Sequence, residues 1–191
     1  MIQGKNISLR AAKAEEIENI FDMALKSGMA SFSFSYKTGL ESFKKIYHEK
    51  YFDKKVSSWG SMMICRKNIP VGFISFCQSG DNKDSATSGI RELAIWMDGE
   101  DYCGRGLGSD AINTLSEYLN KTFKISSLFI CLTLYNVRAI KAFEKAGFIR
   151  QKDREKHEFL LKIFKPKSLS AMDPYNRYIS AGFTLLLKNM P

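Results

Sequence analysis

The chain has 191 residues, of which 45% are hydrophobic and 26% charged, and we expect them to form one domain spanning residues 1–191 with a sizeable core. No run of eighteen apolar residues and no apolar leader segment occur, so we expect a cytoplasmic protein without a membrane span. The net charge of +9 suits an anionic partner, but no RRM, helix-turn-helix or zinc-finger pattern favours nucleic acid as that partner.

The region up to residue 60 predicts one strand followed by two helices. NISLR at residues 6–10 indicates the strand. Residues 11–27 and 40–52 indicate the helices, and the first of these segments has an apolar stripe at helical spacing. The stripe consists of Ile17, Ile20, Phe21, Ala24 and Leu25.

Three strands are predicted between residues 60 and 98. SMMICRK and VGFISFCQ are separated by Asn68, Ile69 and Pro70, which indicates a hairpin turn. GIRELAIWMD at residues 89–98 indicates the third strand of this region.

A glycine-rich stretch, DYCGRGLGSDAINTL, follows that strand directly. Its three glycines occupy alternate positions, at Gly104, Gly106 and Gly108. Ser109 and Asp110 are good N-cap residues for a helix predicted over residues 109–121. The first N–H groups of a helix lack intrahelical partners, and glycine lets a phosphate approach the backbone closely. The stretch therefore predicts a phosphate-bearing ligand, with Arg105 as an added donor; the alternative is a tight turn without a ligand.

The remaining pattern alternates strands and helices. It predicts a strand over residues 127–134, a helix over 136–147 and a strand near 148–151. KHEFLLKIF and AGFTLLLKN also look extended, and a long connection separates them. This order indicates a mixed α/β domain.

The cysteines predict neither a disulfide frame nor a metal site. The chain has four, Cys65, Cys77, Cys103 and Cys131, and no C-x-x-C pair. Three lie in or beside strand-like runs, so we expect buried, reduced thiols and no bound metal.

A second stretch, NVRAIKAFEKAGF at residues 136–148, lies one strand after the glycine loop. Together the two stretches resemble the signature pair of the GCN5-related N-acetyltransferase (GNAT) superfamily. In the loop, Gly106 and Gly108 match the pattern Gln/Arg-x-x-Gly-x-Gly/Ala. The helix pattern Asn-x-x-Ala-x-x-x-Tyr/Phe-x-Lys-x-Gly-Phe is matched at Asn136, Ala139, Phe143, Lys145, Gly147 and Phe148. The resemblance is strong over residues 60–150, and it fails in an atypical extension at residues 152–182.

The resemblance implies a GNAT-like α/β fold of the α+β type. Such a fold has a mixed, mostly antiparallel sheet of about six to seven strands, about four flanking helices and a splayed strand pair that holds the cofactor. It also implies acetyl-CoA as co-substrate, with the pyrophosphate on the N–H groups of residues 104–109 and the pantetheine arm along the strand at 93–95. The implied cofactor-binding residues are Leu93, Ala94, Ile95, Cys103, Gly104, Arg105, Gly106, Leu107, Gly108, Ser109, Asn136, Ala139, Phe143 and Lys145.

The implied activity is acetyl transfer to a primary amine of a small molecule or a protein, by direct attack with general-base assistance. An alkyl ammonium has a pKa of about 10.4, so a base must accept its proton. Glu92 is similar in position to the general-base Glu of the histone-acetyltransferase branch, and on a strand it shares a face with Ala94 and Trp96. A salt bridge is the alternative role for Glu92, and Asp98 is the reserve base. The N–H groups of Leu93 and Ala94 are candidates for stabilising the oxyanion.

Two positions depart from the family pattern. Cys103 replaces the usual Gln or Arg, and Phe143 replaces the Tyr with which many members protonate the departing thiolate. Tyr135 and Tyr102 are candidate substitutes, and Tyr135 is our catalytic prediction. These departures motivate a second hypothesis, a non-catalytic acyl-CoA-binding protein on the same fold.

Acceptor recognition is expected from elements outside the two motifs. The segments concerned are residues 26–55, residues 79–89 and the extension. Four residues in the first segment are candidates for lining the cleft, namely Met29, Phe32, Phe34 and Tyr36. Family members often dimerise through their C-terminal strands, so the resemblance leaves a homodimer open.

Overall fold

A computed structural model describes residues 1–27, 39–48, 60–77, 89–152, 155 and 183–191. These residues form eight strands and four α-helices. The strands are β1 (Ile2–Gln3), β2 (Ser8–Ala11), β3 (Gly60–Arg66), β4 (Ile69–Cys77), β5 (Ile90–Met97), β6 (Ser127–Thr133), β7 (Ile149–Arg150) and β8 (Phe183–Asn189). The helices are α1 (Ile17–Lys26), α2 (Leu40–Tyr47), α3 (Leu107–Phe123) and α4 (Val137–Lys145).

The eight strands form one hydrogen-bonded sheet in the order β1-β2-β3-β4-β5-β6-β8-β7. Antiparallel pairing joins β1 to β2, β2 to β3, β3 to β4, β6 to β8 and β7 to β8, whereas β5 and β6 pair in parallel. The parallel ladder covers Ile90–Glu92 against Ser127–Phe129, and β5 then continues to Met97. The predicted fold class, a mixed and mostly antiparallel sheet with about four helices, is confirmed. The unpredicted strand β1 has two residues, too few to give a periodic signal.

The chain divides into two compact units, each with its own apolar cluster. The first unit comprises Met1–Cys77 and Ala94–Tyr118, and the second Gln78–Leu93 and Leu119–Pro191. In the first, α1 and α2 contribute to a cluster of Ile17, Ile20, Met23, Ala24, Phe43, Tyr47, Met63, Cys65, Phe73 and Trp96. In the second, the cluster consists of Phe129, Leu185 and Leu187, with Ile90 and Cys131 packed against it. The single-domain expectation stays a prediction.

Two local predictions are corrected by packing and turn geometry. On α1, Met23 is buried whereas Leu25 is 44% exposed, so the apolar stripe lies slightly differently from the predicted one. The hairpin turn consists of Lys67 and Asn68, both at positive φ, and not of Asn68–Pro70. Positive φ at both central residues gives a turn whose twist matches that of the flanking strands.

Ile69 and Pro70 therefore belong to β4. Pro70 pairs with Cys65 where the register shifts between Ile64 and Cys65. A proline is tolerated at such an irregularity because it has no N–H to donate to the ladder.

The remaining sequence predictions concern the C-terminal strand, the cysteines, the proposed acceptor cleft and membrane spans. AGFTLLLKN forms β8 as predicted, and all four cysteines are free, although only Cys65 is fully buried. KHEFLLKIF lies outside the described residues, as do Met29, Phe32, Phe34 and Tyr36. In the part of the chain that the structure describes, no helix has both the length and the hydropathy needed to cross a membrane.

Candidate active site

The glycine loop leads from β5 into α3 through residues at positive φ. Gly104 and Gly106 have φ values of 71° and 78°, which side-chain-bearing residues rarely adopt. A Cβ atom added at either position would meet no atom of the described residues within 4 Å. Within this part of the chain, the two glycines are therefore required by the backbone conformation and not by crowding, and the space beside them is open.

The start of α3 presents a row of backbone donors. The N–H of Asp110 donates to the carbonyl oxygen of Gly106 at 3.0 Å, which makes Gly106 the N-cap. Among the described residues, no acceptor takes the N–H groups of the five residues Gly104, Arg105, Gly106, Leu107 and Gly108. The helix dipole adds partial positive charge at the same end. The loop can therefore bind an anion through its main chain.

This helix start corrects the sequence prediction. The helix begins at Leu107, two residues before Ser109, and Asp110 is not its cap. A bare glycine serves as N-cap instead, because glycine is nearly as good at that position as a polar side chain. Ser109 is buried in the first turn, and Arg105 is exposed.

Cys103, the residue that departs from the family loop pattern, closes the loop on itself. Its Sγ donates to the carbonyl oxygen of Gly99 at 3.4 Å. Its N–H donates to the carbonyl oxygen of Glu100 at 2.9 Å. The side chain is half-buried, and both of these hydrogen bonds are to the loop's own backbone.

Strand β5 presents different residues to its two faces. Ala94 and Trp96 pack in the apolar cluster of the first unit, as the predicted alternation requires. Ile95 and Met97 lie on the α3 side, because a methyl group at Gly108 would be 3.9 Å from Cδ1 of Ile95 and 4.0 Å from Sδ of Met97. The close approach at Gly108 brings the helix start against the strand.

The predicted base and its neighbours lie where β5 leaves β6. Glu92 is half-buried and forms the last registered pair of the parallel ladder, opposite Phe129. Leu93, the next residue, is buried. Arg91, which the sequence analysis did not single out, is only 5% exposed, and its Nη1 donates to the carbonyl oxygen of Ile90 at 2.8 Å. The occurrence of a charged residue within an apolar strand is the sequence signal that could have identified Arg91 as a neighbour of the site.

The reserve base Asp98 is engaged in an ion pair. Lys26 Nζ, at the end of α1, lies 2.8 Å from Asp98 Oδ1. This hydrogen bond raises the pKa of Lys26. The backbone N–H of Asp98 donates to the carbonyl oxygen of Val71 at 2.9 Å. Both contacts fix the position of Asp98 at the end of β5.

The second motif forms a helix with a defined cap at each end. Asn136 Oδ1 accepts a hydrogen bond from the N–H of Ala139 at 3.1 Å, so Asn136 is the N-cap of α4. Gly147 has a φ of 87°, and its N–H donates to Glu144 at 3.0 Å. The N–H of Phe148 donates to the carbonyl oxygen of Phe143 at 3.0 Å. This pair of bonds is the Schellman motif that commonly ends helices.

Phe143 belongs to the core, although the resemblance implies that its ring lies beside the cofactor. The ring is 1% exposed and packs edge-on against Phe148, with ring centroids 4.9 Å apart. This contact between the two ends of a Schellman motif is the usual apolar one. Lys145 is exposed, Ala139 is half-buried, and the proposed acid Tyr135 is 87% exposed.

The fold is mixed α/β, and its glycine loop presents main-chain N–H groups without an acceptor among the described residues at a helix N-terminus. Residues 6–149 match the family model described as the acetyltransferase (GNAT) domain. The chain belongs to the GNAT family, and it is an acyltransferase.

Solved structures of the same fold include three enzymes with different acceptors in their names. The aminoglycoside acetyltransferase AAC(6′)-Ib, in complex with ribostamycin and coenzyme A, is 16% identical over 97% of this chain and 94% of that chain, with a TM-score of 0.68. A chimera of the spermidine N-acetyltransferase SpeG from Vibrio cholerae and hSSAT is 11% identical over 97% and 96%, with a TM-score of 0.67. RimL, a ribosomal L7/L12 α-N-protein acetyltransferase in complex with coenzyme A, is 14% identical over 99% and 97%, with a TM-score of 0.66. At these identities, the likeness establishes the fold.

Proposed function

We propose that this protein is an acetyl-CoA-dependent N-acetyltransferase that acts on a primary amine, with Glu92 as general base. The observation that carries the proposal is the row of donors from Gly104 to Gly108, none of which has an acceptor in the described chain. The open space beside Gly104 and Gly106 fits a diphosphate held close to the backbone. A net charge of +9 also favours a ligand with several phosphate charges.

The chain's own residues hold the co-substrate in two stretches. The main-chain N–H groups of Gly104–Gly108 bind the pyrophosphate, with Cys103 and Ser109 flanking them and Arg105 as an added positive charge. Leu93, Ala94 and Ile95 follow the last β5–β6 pair, so their backbone edge is the one we assign to the pantetheine arm. From the second motif, Asn136 and Ala139 are half-buried and Lys145 is exposed. Phe143 supports that helix from the core. When bound, acetyl-CoA supplies an acetyl group activated as a thioester.

Glu92 performs the proton transfer in this proposal. An amine is mostly protonated at neutral pH, since its pKa is about 10.4, and its nitrogen attacks only after losing a proton. The carboxylate accepts that proton directly or through one water molecule. A backbone N–H from Leu93 or Ala94, whichever faces the bound thioester, then stabilises the oxyanion of the tetrahedral intermediate.

The leaving thiol needs little help. A thiol has a pKa of about 8.5, so it departs as a thiolate at modest cost even though Phe143 has no proton to donate. Tyr135 is accessible enough to supply a proton, and Tyr135→Phe tests that role. A kcat that does not change in this variant eliminates Tyr135 as general acid.

Glu92→Gln tests the base, with Glu15→Gln as the matched control. Glu15 is an exposed glutamate paired with Lys13, so its substitution makes the same charge change without touching β5. With a panel of amines, thiol release by Glu92→Gln is expected to fall about 10²–10⁴-fold, while the affinity for acetyl-CoA is retained. The Glu15→Gln protein is expected to match the wild type.

Three other outcomes contradict parts of the proposal. A Glu92→Gln protein as active as the wild type assigns the proton transfer to another group. Tight binding of acetyl-CoA without turnover of any amine identifies a non-catalytic acyl-CoA-binding protein. Failure of the wild type to bind acetyl-CoA overturns the cofactor assignment itself.

A further inference from the structure

An acidic residue lies in the first turn of α3, beside the proposed pyrophosphate loop. The residue is Asp110, three positions after Leu107. The Cα–Cβ bonds of a helix tilt towards its N-terminus, so this carboxylate adds negative charge at the end where an anion would bind. On charge alone, Asp110 opposes the ligand.

Both carboxylate oxygens of Asp110 are bound by the chain's N-terminal turn. Oδ1 accepts from the backbone N–H of Lys5 at 3.1 Å, and Oδ2 accepts from the backbone N–H of Asn6 at 2.6 Å. The turn is closed by a hydrogen bond from the N–H of Gly4 to the carbonyl oxygen of Ile7 at 2.9 Å. Hydrogen bonds to a charged acceptor are among the stronger ones in proteins.

The turn lies directly on the first two turns of α3. A Cβ atom at Gly4 would be 2.6 Å from Oγ1 of Thr114 and 3.0 Å from Oδ1 of Asp110. A side chain at this position would force Thr114, Asp110 or the turn itself to shift. The N–H of the same Asp110 closes the first helical hydrogen bond, to Gly106. One residue therefore connects the β1–β2 turn to the N-cap of the glycine loop.

We infer that Asp110 is a positioning residue for the phosphate loop, which it holds in place by clamping the start of α3 to the β1–β2 turn. The inference rests on the proposed function, because it concerns the same cofactor site. The two amide donors offset the carboxylate charge, so the clamp holds the loop with less electrostatic opposition to the ligand. The N-terminal turn is thereby part of the cofactor site without touching the ligand.

Asp110→Asn separates the clamp from simple electrostatics, because the two predict changes of opposite sign. Removing a negative charge next to an anion site strengthens binding if charge is all that matters. The clamp predicts weaker binding, since the Asn Nδ2 group would place a donor against a backbone donor. We expect the Kd for coenzyme A, measured by titration calorimetry, to rise about tenfold, the loss typical of one disrupted charged hydrogen bond.

Asp101→Asn is the matched control, and Gly4→Ala is the second variant. Asp101 is exposed and precedes Gly104 by three residues, so its substitution removes the same charge near the same loop. It is expected to leave the Kd unchanged or lower it. Gly4→Ala crowds Thr114 and the Asp110 carboxylate without changing any charge and is expected to raise the Kd. The double variant Gly4→Ala/Asp110→Asn is expected to have a Kd no higher than that of the single variant with the higher Kd, because both substitutions act through one contact.

Hydrogen exchange on the wild type provides a readout that does not depend on how the variants fold. Coenzyme A is expected to increase protection of the 1–9 segment together with the 99–110 segment. Protection confined to 99–110 contradicts the clamp.

The remaining outcomes separate the clamp from the proposed function. An Asp110→Asn protein that melts at a lower temperature but binds coenzyme A as the wild type does, or more tightly, reduces Asp110 to a structural role and overturns the inference. If the wild type itself does not bind coenzyme A, the proposed function fails first.

Discussion

The glycine loop and the second motif carry the same family signature, but their residues act in different ways. In the loop, Gly104 and Gly106 have positive φ, and their N–H groups have no acceptor in the described chain. In the second motif, Gly147 also has positive φ, but its N–H donates to Glu144 and ends the helix. Glycine at positive φ thus accompanies main-chain donors without an acceptor in the loop and hydrogen-bonded donors in the second motif.

The side chains of the second motif follow the same division. Asn136 caps the start of α4, and Phe143 and Phe148 form the apolar contact that accompanies its end. Four of the six matched positions therefore specify the length and packing of one short helix. One sequence signature can therefore include both main-chain donors that are open to a ligand and side chains that define a helix. Substitutions in the two regions should separate binding from stability.

Phe143→Ala is expected to have the largest effect on stability and a small effect on binding. Truncating a fully buried phenylalanine costs about 3–5 kcal/mol, because it removes apolar contacts and leaves a cavity. Chemical denaturation measures the loss, with the exposed Ile149→Ala as control. A large rise in the Kd for coenzyme A at conditions where the variant remains folded would instead place the ring beside the cofactor, and the comparison would fail.

Gly106→Ala is expected to show the reverse pattern. The left-handed conformation costs a side-chain-bearing residue about 1–2 kcal/mol, and any relaxation of the loop turns its donors away from the ligand. Gly99→Ala is the control for backbone strain, since Gly99 also has positive φ, with a ψ of −178° that is essentially limited to glycine, but its N–H is already bonded to Met97. Gly99→Ala should lose at least as much stability, and only Gly106→Ala should bind coenzyme A markedly more weakly. Equal losses of affinity in the two variants would argue against ligand binding by the N–H groups of Gly104–Gly108.

Asn136→Ala tests whether this side chain acts only as the N-cap of α4. Loss of the N-cap costs about 1 kcal/mol, and Asn136→Ser should restore most of it because serine caps nearly as well. Thermal denaturation checks both variants. If the serine variant regains stability but still binds coenzyme A poorly, the Asn136 amide contacts the cofactor arm directly, as the family resemblance implies.

Glu16→Gln lies outside both motifs and shows the effect of a small stability change without an expected change in affinity. The hydrogen bonds from Arg10 lower the pKa of Glu16 from its usual value of 4.5. A carboxylate with a lowered pKa stabilises the fold above its unfolded pKa, and this stabilisation disappears as the pH falls through the folded pKa. The side chains are 27% and 17% exposed, so we expect a deficit of only about 0.5–1 kcal/mol at neutral pH.

Urea titrations at several pH values test this sign. The deficit of Glu16→Gln relative to the wild type should shrink as the pH is lowered below about 4.5. The affinity for coenzyme A should not change. A deficit that persists undiminished at low pH contradicts the assigned ion pair.

The sequence predicted the elements that have strong periodicity or closely spaced glycines, but it misplaced the hairpin turn between β3 and β4. The apolar pattern located α1, β5, β6 and β8, and glycine spacing located the loop. It failed where tertiary contacts decide the outcome. The partner of Asp98 is Lys26, far away in the chain, and the carboxylate of Asp110 binds the N-terminal turn and does not cap its own helix. Nothing in the local pattern identifies such partners.

The roles that the family motif implies for the site residues stay predictions. The resemblance implies that Phe143 contacts the cofactor, but the pattern records which residue occurs, not which way the ring faces. The burial of that ring became visible only with the contact to Phe148.

The measurement that tests the central claim most directly is a thermal denaturation of the wild type with and without acetyl-CoA. Ligand at a hundred times its Kd should add about 2.7 kcal/mol to the free energy of unfolding, and the gain should be much smaller for Gly106→Ala at the same ligand concentration. An unchanged melting temperature of the wild type at millimolar acetyl-CoA would contradict a coenzyme A site on the glycine loop.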